Sequence, residues 1–115
     1  MIFAKFARIC DTAVKIEQAL RAKAFDQIGA IFAEEWANRH DLVPGISTEF
    51  IDALIVKAKQ HGAEAAKVCG AGGGGCVAFY CEDGRKAEVE EVLTAAGGQV
   101  IPYRIARAGV QVREV

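Results

Sequence analysis

Apolar residues recur at three- and four-residue steps through the first part of the chain. Phe3, Phe6, Ile9, Cys10, Ala13, Ile16 and Leu20 form one stripe, which predicts a long amphipathic helix with that stripe in the core. After a break around Ala24, Phe25 and Asp26, the residues Phe25, Ile28, Phe32 and Trp36 resume the spacing through Asn38. The two segments predict a helical hairpin whose apolar faces pack together, with Glu17, Arg21, Glu34 and Arg39 turned to solvent. The stretch from His40 to Gly45 cannot continue a helix. Pro44 lacks a backbone donor and restricts Val43, and Gly45 favours a turn. Ser47 or Thr48 then offers an N-cap, and Glu49 suits the first turn of the third helix. That helix buries Ile51, Leu54, Ile55 and Ala58 and stops at Gly62.

From Lys67 onward the period shortens. Lys67–Cys69 and Cys76–Cys81 are β-like runs on either side of a glycine-rich turn, and Asp83-Gly84 ends the second. Ala87, Val89, Val92, Leu93 and Ala96 fit a fourth helix that stops at Gly97-Gly98. Val100, Tyr103 and Ile105 then predict a strand, with Pro102 suited to an edge, and the alternating residues 110–115 predict a last strand. The expected fold is α+β: N-terminal helices followed by a roughly four-stranded antiparallel, ferredoxin-like sheet with helices packed on one face. Residues 1–115 are expected to form a single domain.

Composition narrows the function classes. A net charge of −1 offers no footprint for nucleic acid or for an anionic membrane surface. No apolar run approaches the ~18–20 residues of a membrane span, and charges interrupt the N-terminus where a signal peptide would need an apolar stretch. A cytoplasmic protein is expected. Cys10, Cys69, Cys76 and Cys81 include no CxxC pair, so they are expected to be buried free thiols, with no metal site. His40 and His61 sit near predicted helix ends, where surface or capping roles are expected.

One feature exceeds what a fold requires. Gly70-Ala71-Gly72-Gly73-Gly74-Gly75 places five glycines in six positions between two strands. At roughly 0.5–1 kcal/mol each relative to alanine, the cluster costs about 3–5 kcal/mol. A tight hairpin needs one or two glycines. The surplus points to several positive-φ residues, or to a ligand that approaches bare backbone, as in phosphate-cradling amide nests. Gly70, Gly72 and Gly75 satisfy GxGxxG, but a dinucleotide fingerprint opens a helix and here a strand follows. No Lys-Ser/Thr follows Gly75, which excludes a Walker A loop. A hairpin without any ligand is the remaining alternative.

The stretch from Lys67 to Cys76 resembles the third signature of the galactokinase–homoserine kinase–mevalonate kinase–phosphomevalonate kinase (GHMP) superfamily, K-x-x-GAGGGG followed by an apolar strand. Leu42-Val43-Pro44-Gly45-Ile46-Ser47, Ile51-Asp52 and Gly62-Ala63 resemble the segments that open and close the family's preceding helix. Val100-Ile101-Pro102-Tyr103 and Gly109-Val110-Gln111-Val112 resemble the closing strands of the heptose 7-phosphate kinase and galactokinase-like branch, and Glu35-Trp36 falls where that branch carries an acidic-Trp pair.

The resemblance implies the C-terminal domain of an ATP- and Mg²⁺-dependent kinase that phosphorylates a sugar or sugar phosphate. The N-terminal domain that carries the main phosphate loop would be missing. It assigns Gly70, Ala71, Gly72, Gly73, Gly74 and Gly75 to the phosphate side of an inter-domain cleft, as backbone shape and amide donors. Lys67 is open to two orientations, toward phosphate or toward solvent. Asp52 matches a family position, but the favoured reading is a first-turn charge. No catalytic residue and no metal ligand is assigned, and tight ATP binding by the chain alone is not expected. The partners implied are the N-terminal domain, in cis or in trans, and a second copy through the exposed inter-domain face. The alternative is a stand-alone ferredoxin-like regulatory or interaction module without catalysis.

Overall fold

The computed structural model describes residues 2–70 and 75–115. Helix α1 spans Ile2–Arg21, and a single 3₁₀ turn at Phe25–Gln27 leads into helix α2, Ile28–His40. Helix α3 covers Glu49–Lys59, strands β1 and β2 cover Ala63–Val68 and Val77–Cys81, and helix α4 covers Lys86–Ala95.

Helices α1 and α2 form the predicted hairpin, but α1 does not bury the predicted stripe. Thr12 and Ala19 are buried, with Ile9 and Ile16 half-buried beside them. Phe3, at 79% exposure, Phe6 and Leu20 face outward. One neighbouring helix covers only a narrow arc of α1, and the small residues Thr12 and Ala19 allow the closest approach. The Thr12 hydroxyl donates to the Ile9 carbonyl at 2.7 Å, so its burial leaves no unsatisfied donor. Lys15 Nζ pairs with Glu34 at 2.7 Å, and Lys5 Nζ donates to the Asp41 carbonyl at 2.8 Å, which fastens α1 antiparallel to α2.

Helix α3 follows the sequence pattern closely. Ile51, Leu54, Ile55 and Ala58 are its buried residues. Of the two candidate caps, Thr48 takes the role: its Oγ1 accepts the Ile51 N–H at 3.1 Å. Helix α4 ends at the predicted glycines. Gly98 N–H donates to Leu93 O at 2.9 Å and Gly97 N–H to Thr94 O at 3.1 Å, the paired bonds of a Schellman motif, with Gly97 at φ +99°.

Strands β1 and β2 pair antiparallel from Ala63↔Cys81 to Val68↔Val77, with an irregularity between Ala63 and Ala65. The sequence pattern predicts this first strand only from Lys67, because Ala63–Ala66 is an alanine-rich run with weak β preference. Pairing with β2 overrides that preference. Alternation places Ala66, Val68, Val77 and Phe79 on one face, where Ile51 and Ile55 of α3 pack on them. Val89 and Leu93 of α4 continue that layer with Ala58, Ala63 and Cys81. Lys67 and Tyr80 lie on the other face, against α2: the Phe32 and Tyr80 ring centroids are 6.4 Å apart, and Tyr80 OH donates to Phe25 O at 3.0 Å. Helices therefore cover both faces of the hairpin, not one as the sequence led us to expect. Small alanines in β1 make the second layer sterically accessible.

The described residues do not show the expected four-stranded, ferredoxin-like sheet. The described residues contain a two-stranded sheet, and neither 100–105 nor 110–115 pairs as a strand. Ile101, Tyr103, Ile105, Val110 and Val112 are exposed. Alternation creates an apolar face but supplies no partner for the backbone, and Pro102 removes one ladder donor. No described helix is long and apolar enough to cross a membrane.

Candidate functional site

The base of the glycine loop is well defined. Cys69 N–H donates to Cys76 O at 2.9 Å, extending the β1–β2 register by one pair. Gly70 and Gly75, one on each limb, both adopt φ +82°. Among the described residues, a Cβ built at either meets nothing within 4 Å, so crowding by those residues requires neither glycine. Both are required by left-handed backbone, which side chains adopt only with strain. The base thus presents two bare backbone positions in left-handed conformation. Ala71, Gly72, Gly73 and Gly74 lie outside the described residues.

Lys67 turns toward helix α2, with its side chain partly exposed. Its Nζ stands 3.2 Å from Glu35 Oε2 and 5.9 Å from the centroid of the Phe32 ring. Glu35 is 8% exposed. Its other oxygen, Oε1, accepts from Arg39 Nε at 2.6 Å. The Lys67 approach lacks the alignment of a directed hydrogen bond, and Glu35 Oε2 has no such partner among the described residues. That contact is an ion pair only. Arg39, expected in solvent, reaches on to the Gly70 carbonyl at 3.4 Å. A buried carboxylate thereby gathers two cations at the loop's first residue. The Glu35–Arg39 pair is visible in the sequence as an i,i+4 spacing. Lys67 joins it only through tertiary packing.

A second cluster occupies the same end of α2. His40 Nδ1 lies 2.8 Å from Asp41 Oδ1, and Nε2 lies 3.1 Å from Asp52 Oδ1. Ser47 Oγ donates to that same Asp52 oxygen at 2.7 Å, and the Trp36 ring stands edge-on to His40 at 5.2 Å. The Asp41 hydrogen bond, opposed by partial burial and reinforced by Asp52, raises the His40 pKa above its ordinary 6.5. Asp41 is lowered in turn by its bond to His40. A ring that donates from both nitrogens is an imidazolium, consistent with that direction. Asp52 therefore does more than charge the first turn of α3: it ties that turn to the end of α2. A shallow cavity of about 290 Å³, lined by His40, Asp41, Val43, Pro44, Gly45 and Ser47, opens beside it. Ser47 Oγ and His40 Nε2 thus share one Asp52 oxygen, which fastens the segment before α3 to the end of α2.

The cysteines depart from expectation. Cys10, Cys69 and Cys76 are exposed, and Cys81 alone is partly buried. Burial raises the Cys81 thiol pKa, reinforced by Glu90. Among the described residues no group of three or more His, Cys, Asp or Glu side chains is placed to hold a metal ion.

A helix-flanked hairpin whose glycine base carries K-x-x-GAGGGG defines a class of domain found in small-molecule kinases. Residues 16–99 match the family model described as GHMP kinases C terminal, and the chain belongs to that family. It is 39% identical to the mevalonate kinase of Pyrococcus horikoshii over 71 residues, 62% of this chain and 21% of that protein. It is 31% identical to the bifunctional fucokinase/GDP-fucose pyrophosphorylase of Arabidopsis thaliana over 88 residues, 76% of this chain and 8% of that protein. With the D-glycero-alpha-D-manno-heptose 7-phosphate kinase of Campylobacter jejuni it shares 24% over 99 residues, 86% of this chain and 29% of that protein. The chain thus spans about a fifth of the length of the mevalonate kinases it matches.

Proposed function

We propose that this chain is the C-terminal domain of an ATP-dependent kinase acting on a small hydroxylated molecule, and that Gly70–Gly75 faces the phosphates across a cleft. The observation that carries this reading is the loop base, where Gly70 and Gly75 hold φ +82° and no other described residue crowds either. Phosphoryl transfer relies on positioning and charge neutralisation, to which bare amides at such a base contribute. ATP with Mg²⁺ supplies the phosphoryl group. The role of this chain is to shape one wall and offer backbone donors, with Lys67 and Arg39 adding positive charge held at the loop by Glu35. The described residues suggest no Mg²⁺ ligand set, so the metal and the triphosphate fall to an N-terminal domain in this proposal.

The acceptor we favour is a sugar or sugar phosphate, because the alignments with the fucokinase and the heptose 7-phosphate kinase extend over 76% and 86% of the chain. Mevalonate is the second reading, favoured by the 39% identity. In the assembled enzyme the tail would complete a larger, ferredoxin-like sheet, and the exposed strip of Phe3, Phe6 and Leu20 on α1 would meet a partner domain or a second copy. A cytoplasmic location belongs to the same proposal.

Calorimetry tests it directly. The chain alone should bind Mg-ATP weakly or not at all at millimolar concentration, and adding an N-terminal domain, fused or in trans, should restore ATP-dependent phosphorylation of a sugar. Tight Mg-ATP binding by the chain alone, or no activity with any N-terminal domain of the family, would overturn it. A panel of acceptors including mevalonate separates the two substrate readings.

A further inference from the structure

We propose that Cys69 and Cys76 form a reversible disulfide that clasps the base of the glycine loop. The two residues continue the register that pairs Val68 with Val77, so they stand directly opposite each other, joined by the Cys69 N–H to Cys76 O bond of 2.9 Å. Opposed residues on an antiparallel pair project to the same face. A hydrogen-bonded pair has its Cα atoms about 5.5 Å apart, inside the range a disulfide spans. The Cβ atoms of opposed residues lie about 4.5–5.5 Å apart and a disulfide brings them to about 3.5–4.5 Å, so closure requires an approach of about 1 Å. Gly70 and Gly75, next to the pair and uncrowded by any other described residue, can absorb that movement. Both thiols are exposed to an oxidant.

The other cysteines are excluded by geometry. Cys81 is five residues beyond Cys76 along extended chain, about 17 Å away. It also lies on the opposite face, in the cluster of Ala58, Ala63 and Val89. Cys10 is on α1.

The oxidant is hydrogen peroxide or a related hydroperoxide. One thiolate attacks a peroxide oxygen, the O–O bond breaks, and a sulfenic acid forms with release of water. The opposing thiolate attacks that sulfur, the S–O bond breaks, the S–S bond forms, and a second water leaves. Two thiols lose two electrons and two protons, and the peroxide is reduced to two waters. A dithiol reductant reverses the step by exchange. Any effect of the clasp on phosphate binding rests on the function proposed above; formation of the bond does not.

The test is therefore read on thiols. The full chain is treated with hydrogen peroxide, and its free thiols and intact mass are measured. Two of the four thiols should disappear together, with loss of two hydrogens, no dimer, and full recovery in dithiothreitol. Cys10→Ser and Cys81→Ser should still lose two thiols, whereas Cys69→Ser and Cys76→Ser should form no intramolecular bond. Four surviving thiols, sulfinic acid at either position without a bond, cross-linked dimers, or an unchanged loss in Cys69→Ser would each overturn the proposal. Absence of kinase activity in the reduced, assembled enzyme would count against the proposed function and leave this result unaffected.

Discussion

The loop base and the C-terminal tail are both built from alternating, β-like sequence, yet only one is ordered by its surroundings. At the base, β1 finds β2 in register, α2 covers one face, and α3 with α4 covers the other. In the tail, Tyr103, Ile105, Val110 and Val112 alternate just as clearly and remain exposed. Lys86 Nζ of α4 stands 5.0 Å from the Tyr103 ring centroid. The difference teaches that alternation is only half of a strand. The other half is an edge with free donors and acceptors together with a layer to pack against.

That contrast can be tested by mutation. The largest effect should come from the centre of the ordered region: Val68→Ala, at a site with no exposed surface, should cost about 2–3 kcal/mol in urea denaturation. Arg39→Ala leaves the buried Glu35 with Lys67 alone and should cost about 2 kcal/mol, with faster amide exchange around Gly70. Unchanged exchange there would show that Arg39 does not fasten the loop. Thr48→Ala removes the α3 cap and should cost about 1 kcal/mol. Deleting residues 99–115 should shift stability by less than about 0.5 kcal/mol. A loss of several kcal/mol would show instead that the tail is packed, and the comparison would fail.

The smallest effect is a pH dependence at the end of α2. The raised His40 pKa contributes stability that is fully present below about 6.5 and is lost as pH rises through its folded value. The lowered Asp41 pKa has the opposite sign: its contribution is present above 3.8 and is lost as pH falls through its folded value. The pairing is therefore strongest between those limits. Thermal unfolding between pH 5 and 9 should show a small alkaline decline in the parent chain that His40→Gln lacks. Both groups are well exposed, so solvent screening keeps the effect small.

Much of the body was legible because local rules and tertiary packing agree there. All four predicted core residues of α3 are buried, and Gly97-Gly98 end α4 through hydrogen bonds that glycine permits. Legibility failed where a partner decides. The apolar stripe of α1 is wider than the surface α2 can cover, so Phe3 and Leu20 stay outside. The alanine-rich start of β1 has no strand signal until β2 lies beside it. Arg39 reads as a solvent-facing charge and Glu35 as half of an acidic-Trp pair, because nothing in their spacing reveals that Lys67 and Gly70 will meet them. The cysteines read as small core residues, and only the register shows that two of them face each other.

The central claim concerns the loop: that its bare backbone at Gly70 and Gly75 serves phosphoryl transfer. The most direct measurement compares an assembled two-domain enzyme with its Gly75→Val variant, which adds a branched side chain at φ +82°. We predict a fall in kcat/KM of about 100-fold, while the isolated variant chain keeps its helical content and loses about 1–2 kcal/mol to local strain. Equal activity in the two enzymes would contradict the claim.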